Sequence, residues 1–100
     1  MTASRNNKGK PQLHHILYFQ AALNELAKVC EFGCSKYSKH NWEEGANWTS
    51  AMDSALRHIS KWINKKELDD ESDLPHLAHA AWNILAVLTW QLKNKGEDDR

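Results

Sequence analysis

The sequence predicts an all-α fold, a compact bundle of three main helices completed by pairing with a second copy. Two observations lead there. Apolar residues recur at three- and four-residue spacing in three separate stretches, and no β-type alternation of useful length occurs anywhere. The stretches, each roughly 16 to 19 residues long, are joined by polar or charged segments, as in a helical bundle.

Residues 1–12 are polar, with Gly9 and Pro11, and read as an extended arm. The following QLHHILYF is apolar enough to begin a short helix or to lie across the body as a strap. From about Gln20 to Tyr37, Leu23, Leu26, Ala27 and Cys30 have helical spacing, with Gly33 a weak point among them. SKHNWEEGANW is a loop by composition, turning at Gly45. Thr49 or Ser50 is suited to cap a second helix, with Asp53 in its first turn and Met52, Leu56, Ile59 and Ile63 as its buried stripe. NKKELDDESD is a charged connector. Asp73 or Leu74 then leads into a third helix, with Pro75 in its tolerated first turn, running to about Asn94 and ended by Gly96. Residues 13–95 thus make a single helical domain and 96–100 a charged tail.

Composition narrows the function. One hundred residues, 41% apolar and with five tryptophans, are enough for one small core. Large aromatics on so short a chain favour self-association as a homodimer or higher homo-oligomer. Thirteen basic and thirteen acidic side chains leave no net charge, which argues against a nucleic-acid binder but not against a small anion held by a few placed cations. MTASRNNKGK has no apolar core of a signal peptide, and no run approaches the length of a membrane span. Cys30 and Cys34 fall short of a zinc site and are poorly spaced for a disulfide within one helix; they read as reduced, half-buried packing residues of a cytoplasmic protein.

The chemistry concentrates in DLPHLAHAAWN, residues 73–83. In a helix, positions i, i+3 and i+7 lie within about 60° of one another, so His76, His79 and Asn83 share one stripe beside the apolar row Leu77, Ala81, Ile84, Leu85 and Leu88. Such a stripe suits a divalent metal, a phosphate or a base; the plainer alternative is a helix-start histidine followed by a hydrogen-bonded core histidine. LRHISKW sets His58 on the side of Ala51, Ala55 and Trp62, facing a neighbouring helix, while Arg57 and Lys61, four apart, are spaced to clamp phosphate oxygens or simply to form a solvated basic face. Glu31 is a carboxylate suited to Mg²⁺ or Mn²⁺, or an ordinary exposed helix acid. Lys36, Tyr37, Lys39 and Trp42 combine ammonium groups with aromatic faces, which suits a nucleotide as well as it suits a packed loop. Asp69, Asp70 and Glu71 read as solvated charge, with one of them in reach of a metal.

The blocks NKGKPQL, LAKVCEFGCSKYSKHNWEEG, ALRHISKW and DDESDLPHLAHAAWNILAVL together resemble the phage-associated dATP/dGTP diphosphohydrolase N-terminal domain family, which looks related to the MazG-like all-α nucleoside-triphosphate pyrophosphohydrolases. The resemblance covers about residues 7–93. It implies cleavage of a purine deoxynucleoside triphosphate between its α- and β-phosphates, with Mg²⁺ or Mn²⁺ neutralising phosphate charge and activating water. The family pattern falls on Gly33, Lys36, Tyr37, Asn41, Trp42, Gly45, Arg57, His58, Asp69, Ser72, His76, His79 and Asn83. The broader group carries two carboxylate-rich helix motifs; here the first helix offers Glu25 and Glu31 at a different spacing, and His79 and Asn83 stand where acids would be. A hard cation prefers oxygen, so the site is either built differently or binds without cutting.

The resulting expectation is a homodimeric purine-dNTP pyrophosphohydrolase of the phage-infected host cytoplasm. Lys36, Arg57 and Lys61 would contact phosphates, and Tyr37 and Trp42 the base. His58, His76 and His79 would be catalytic, and Glu31, Asp69, His79 and Asn83 would hold the metal. The alternatives are a module that binds a nucleotide or nucleotide signal without hydrolysis, and a Trp-rich interaction bundle.

Overall fold

The structure, a computed structural model, describes residues 4–36 and 41–100, with the side chains of 34–36 and 41 outside that description. Its elements are a 3-10 segment Leu13–Phe19, helix α1 Gln20–Lys36, a short 3-10 turn Asn41–Glu44, helix α2 Trp48–Ile63 and helix α3 His76–Lys93. The all-α expectation stands, and the described residues contain no strand. Helix α3 is the central element: α2 lies along it and α1 packs against it.

Two halves of the α2–α3 contact differ in chemistry. At one end Ala86, Val87 and Trp90 form a core closed by Trp42, Trp48, Ala51, Met52 and Trp82. At the other, His58 of α2 meets His76 and His79 of α3. The early residues of α2 therefore face the late residues of α3, so the helices run antiparallel. Small side chains let them approach: Ala55, Ala78, Ala80 and Ala86 are all buried. The Trp42 and Trp82 rings meet edge to face at 5.8 Å, and Trp90 Nε1 donates to the Trp42 carbonyl at 2.8 Å, so the indole N–H enters the core satisfied.

Several expected faces are turned. On α3 the row Leu77, Ile84, Leu85 and Leu88 is not the core but exposed, each near 45%, with Leu92 at 75%. Helix α3 is apolar on more than one face, and its period alone does not say which face a single chain packs. On α2, Leu56 and Ile63 are likewise exposed, while Met52 and Ile59 are half-buried. On α1 the inward residues are Leu23, Leu26, Val29 and Phe32, whereas Ala27 and Cys30 are exposed, so Cys30 is not the half-buried packing residue expected. The inward set follows steps of three, one ridge of a helix surface. The 3-10 segment offers no buried residue, with Leu13, Leu17, Tyr18 and Phe19 exposed.

The start of α2 is capped from a distance. Thr49 and Ser50 were the expected caps, but Asn47 holds that position and makes no side-chain cap bond. Instead the chain's end supplies the acceptors: Trp48 N–H donates to the Glu97 carbonyl at 3.0 Å, and Asp99 accepts Thr49 N–H at 3.0 Å and Thr49 Oγ1–H at 2.6 Å. A helix's first N–H groups lack partners within the helix and sit at its positive end, where a carboxylate suits both needs. The charged tail, residues 96–100, though all exposed, is thus tied to the start of α2 through Glu97 and Asp99. Two glycines permit this docking. Gly45 and Gly96 both have positive φ, +89° and +71°, and a Cβ on either would overlap the other segment's backbone.

Candidate functional site

Three segments build the site: the middle of α2, the connector before α3, and the first turn of α3. The connector folds back on itself, with Asp69 N–H donating to the Leu74 carbonyl at 2.8 Å and His76 N–H to the Glu67 carbonyl at 2.9 Å. Pro75, with φ −56°, takes the N-cap position of α3, where a missing N–H leaves no partner unmet. Within the connector, Asp69 Oδ2 accepts from Glu71 N–H at 3.1 Å, Ser72 N–H at 2.9 Å and Ser72 Oγ–H at 3.1 Å. Asp69 is half-buried, unlike its exposed neighbours Asp70 and Glu71. Asp70 pairs with Lys66 at 2.5 Å, so of the three acids the structure turns Asp69 inward.

The histidines converge on this carboxylate. His76 is fully buried and its Nδ1 lies 2.8 Å from Nδ1 of His58. The His58 and His79 rings stack at 4.7 Å, 11° from parallel. His79 Nε2 is 2.6 Å from Ser72 Oγ and 3.9 Å from Asp69 Oδ2. Phe32 of α1 closes the cluster with its ring edge-on to His79 at 6.2 Å. One nitrogen is left over: His76 Nε2 is buried without a hydrogen-bond partner. One ligand atom each from His58, Asp69 and His76 lies within 4.8 Å of the other two.

Electrostatics favour the neutral form of His58 and His79 and the charged form of Asp69. Burial pushes His58 below its ordinary value, and the adjacent His79, His76 and Lys61 add to this against the opposing pull of Asp69. Burial likewise lowers His79, with Asp69 opposing. Burial raises the Asp69 carboxyl, but the Ser72 backbone and hydroxyl bonds, with His79 and Glu71 N–H, outweigh it and leave Asp69 below the usual carboxylate range. A neutral imidazole keeps a lone pair on one ring nitrogen, and beside an ionised carboxylate that is the state needed to hold a cation or accept a proton.

The other expected site residues are placed as follows. Arg57 and Lys61 are exposed on α2, with Lys61 close enough to His58 to act on its charge. Asn83 is half-buried one turn beyond His79, and its amide donates to the His79 carbonyl at 2.9 Å. Glu31 is exposed on α1 and is not in the group of facing ligand atoms. Trp42 packs in the tryptophan core at the far end of α3. The side chain of Lys36 and all of Tyr37 lie outside the described residues. Phe32 was not singled out by the sequence reading, although its place in the series Leu23, Leu26, Val29, Phe32 points it inward.

These features define a small all-α domain with a histidine–carboxylate centre between antiparallel helices. The chain belongs to the family described as dATP/dGTP diphosphohydrolase, N-terminal, which matches residues 1–100. It is 31% identical over 99 residues to a dATP/dGTP diphosphohydrolase of Salmonella phage PMBT28, an alignment covering 99% of this chain and 33% of that relative. The chain therefore spans about a third of that relative's length. No solved structure matches it.

Proposed function

We propose that this chain is a metal-dependent pyrophosphohydrolase domain that converts dATP or dGTP to the monophosphate and pyrophosphate. The observation that carries the reading is the convergence of His58, Asp69, Ser72, His76 and His79 in one half-buried centre, with exposed Arg57 and Lys61 on the helix that supplies His58. The activity named for the relative and the family supports it.

In this reading Arg57 and Lys61 draw in the phosphates, Arg57 by its two-pronged guanidinium and Lys61 as a point charge. A divalent ion, when bound, neutralises phosphate charge and makes bound water a better nucleophile. His79 takes the proton of the attacking water: its ring is neutral, and the Ser72 hydroxyl at 2.6 Å fixes its orientation. Oxygen of water bonds to the α-phosphorus, the bond to the bridging α–β oxygen breaks, and pyrophosphate leaves. Phe32 packs edge-on against the His79 ring.

A second reading is nucleotide binding without cleavage, favoured by the exposure of Glu31, which leaves Asp69 as the carboxylate in the facing group. Product chromatography separates the two. Incubation with dATP, dGTP, dCTP and dTTP in Mn²⁺, Mg²⁺ or EDTA is expected to give monophosphate and pyrophosphate from the purine substrates, and none with EDTA. Intact nucleotides together with a raised melting temperature would establish the binder instead. His79→Ala is expected to remove turnover by about 10²-fold or more while the protein stays folded; unchanged turnover would remove His79 from the mechanism.

A further inference from the structure

We propose that His58, Asp69 and His76 form a two-imidazole, one-carboxylate site for a divalent transition ion such as Mn²⁺, Co²⁺ or Zn²⁺, in preference to Mg²⁺. This deepens the hydrolase reading by naming which residues hold the metal and what class of metal they select.

Geometry supplies the first argument. Ligands about 2.0–2.2 Å from an ion lie about 3–4.4 Å from one another, and the three ligand atoms here are already within 4.8 Å. They come from α2, the connector and the start of α3, so a small closure of the connector onto the helices would complete the set. The hydrogen-bond count supplies the second. Two ring nitrogens 2.8 Å apart share a proton, so one of His58 and His76 is an acceptor there. That pair still leaves His76 Nε2 buried and unpartnered, whichever ring donates. Buried polar atoms are paired in nearly all folded proteins, and an unmatched one calls for a partner. A cation is one that also accounts for the approach of Asp69, which a histidine pair alone does not need.

Donor chemistry decides the metal. Mg²⁺ is a hard ion that takes oxygen and parts with its waters reluctantly, whereas imidazole nitrogen suits the transition ions. Two nitrogens out of three protein donors therefore favour the latter. The surroundings resemble those of built metal centres: Ser72 and Glu71 N–H groups fix Asp69, and the stacked His79 ring fixes the plane of His58.

The test uses the full chain, stripped with EDTA and free of nucleotide. Titration with Co²⁺ is expected to give visible absorption bands saturating at one ion per chain, and Co²⁺, Mn²⁺ or Zn²⁺ to raise the melting temperature where the same concentration of Mg²⁺ does not. Asp69→Asn, on the connector and outside the helical core, is expected to weaken Co²⁺ binding tenfold or more; His58→Gln provides a second removal should either variant fold poorly. His14→Gln with His15→Gln, on the exposed N-terminal segment, is expected to leave binding unchanged. The proposal is overturned by equal Co²⁺ affinity in Asp69→Asn and His58→Gln, by loss of binding in the His14/His15 variant, or by stabilisation with Mg²⁺ as large as with Co²⁺. Metal binding is read without substrate, so a chain that binds Co²⁺ but cleaves no dNTP defeats the hydrolase reading alone, and one that cleaves dATP with the Asp69→Asn variant intact defeats the metal assignment alone.

Discussion

Two glycines show how much one hydrogen in place of a methyl group decides. Gly45 needs φ +89° and backbone contact with Gly96, so Gly45→Ala meets both strain and overlap. It is expected to lower stability by about 1–3 kcal/mol or more. Gly33, inside α1 with open space around its Cβ position, should respond oppositely: Gly33→Ala is expected to add up to about 1 kcal/mol. Urea unfolding of both variants checks the pair, and a shared sign would contradict the geometry. At the site, Ser72 is the residue whose hydroxyl touches Asp69, His79 and the Leu74 N–H. Ser72→Ala is expected to slow dNTP cleavage more than it lowers the melting temperature, because His79 loses its orienting partner.

Among the elements, α2 depends on a segment about fifty residues away in sequence. Asp99 gains charge stabilisation from the Thr49 hydroxyl and N–H, which hold its carboxyl below the ordinary value of 3.8. A lowered folded value means the contribution is present above that ordinary value and is lost as pH falls through the lower folded one. The melting temperature of the native chain should therefore exceed that of Asp99→Asn near neutral pH. The gap should shrink below about pH 4, where the carboxylate protonates. A gap independent of pH would mean the tail docks through its backbone alone. The same dependence explains why local cap signals misplaced the start of α2: Thr49 is bonded to Asp99 across the fold, which no nearby residue announces.

Taken as a whole molecule, the chain is long for its size. Its radius of gyration is 16.5 Å and its extents are 56 × 30 × 26 Å, against about 13 Å for a typical 100-residue domain. Leu77, Ile84, Leu85, Leu88 and Leu92 form an exposed row along α3, and Leu56 and Ile63 are exposed on α2. Such rows on a small domain mark contact surfaces. We expect the row on α3 to pair copies of this chain: Leu85→Glu with Leu88→Glu should halve the mass measured by light scattering while the helical circular-dichroism signal persists. An unchanged mass would leave that face to another partner. No helix among the described residues is long and apolar enough to cross a membrane.

The sequence by itself determined the helices, because a 3.6-residue apolar period is a local property visible without tertiary contacts. It also pointed to the histidines that cluster between α2 and α3: His76 and His79 share a helix face by spacing, His58 was expected to face a neighbour, and the blocks around them mark the family. What only the tertiary structure decided are the relations between distant segments. Which apolar face of α3 turns inward depends on α2 bringing Ala55 and Trp48 to the other side. Asp69 rather than Asp70 or Glu71 enters the site because the connector folds its own backbone bonds around Ser72. Asp99 caps α2 because Gly45 and Gly96 let two backbones cross. Periodicity reports which residues share a face of one helix; only packing chooses what that face meets.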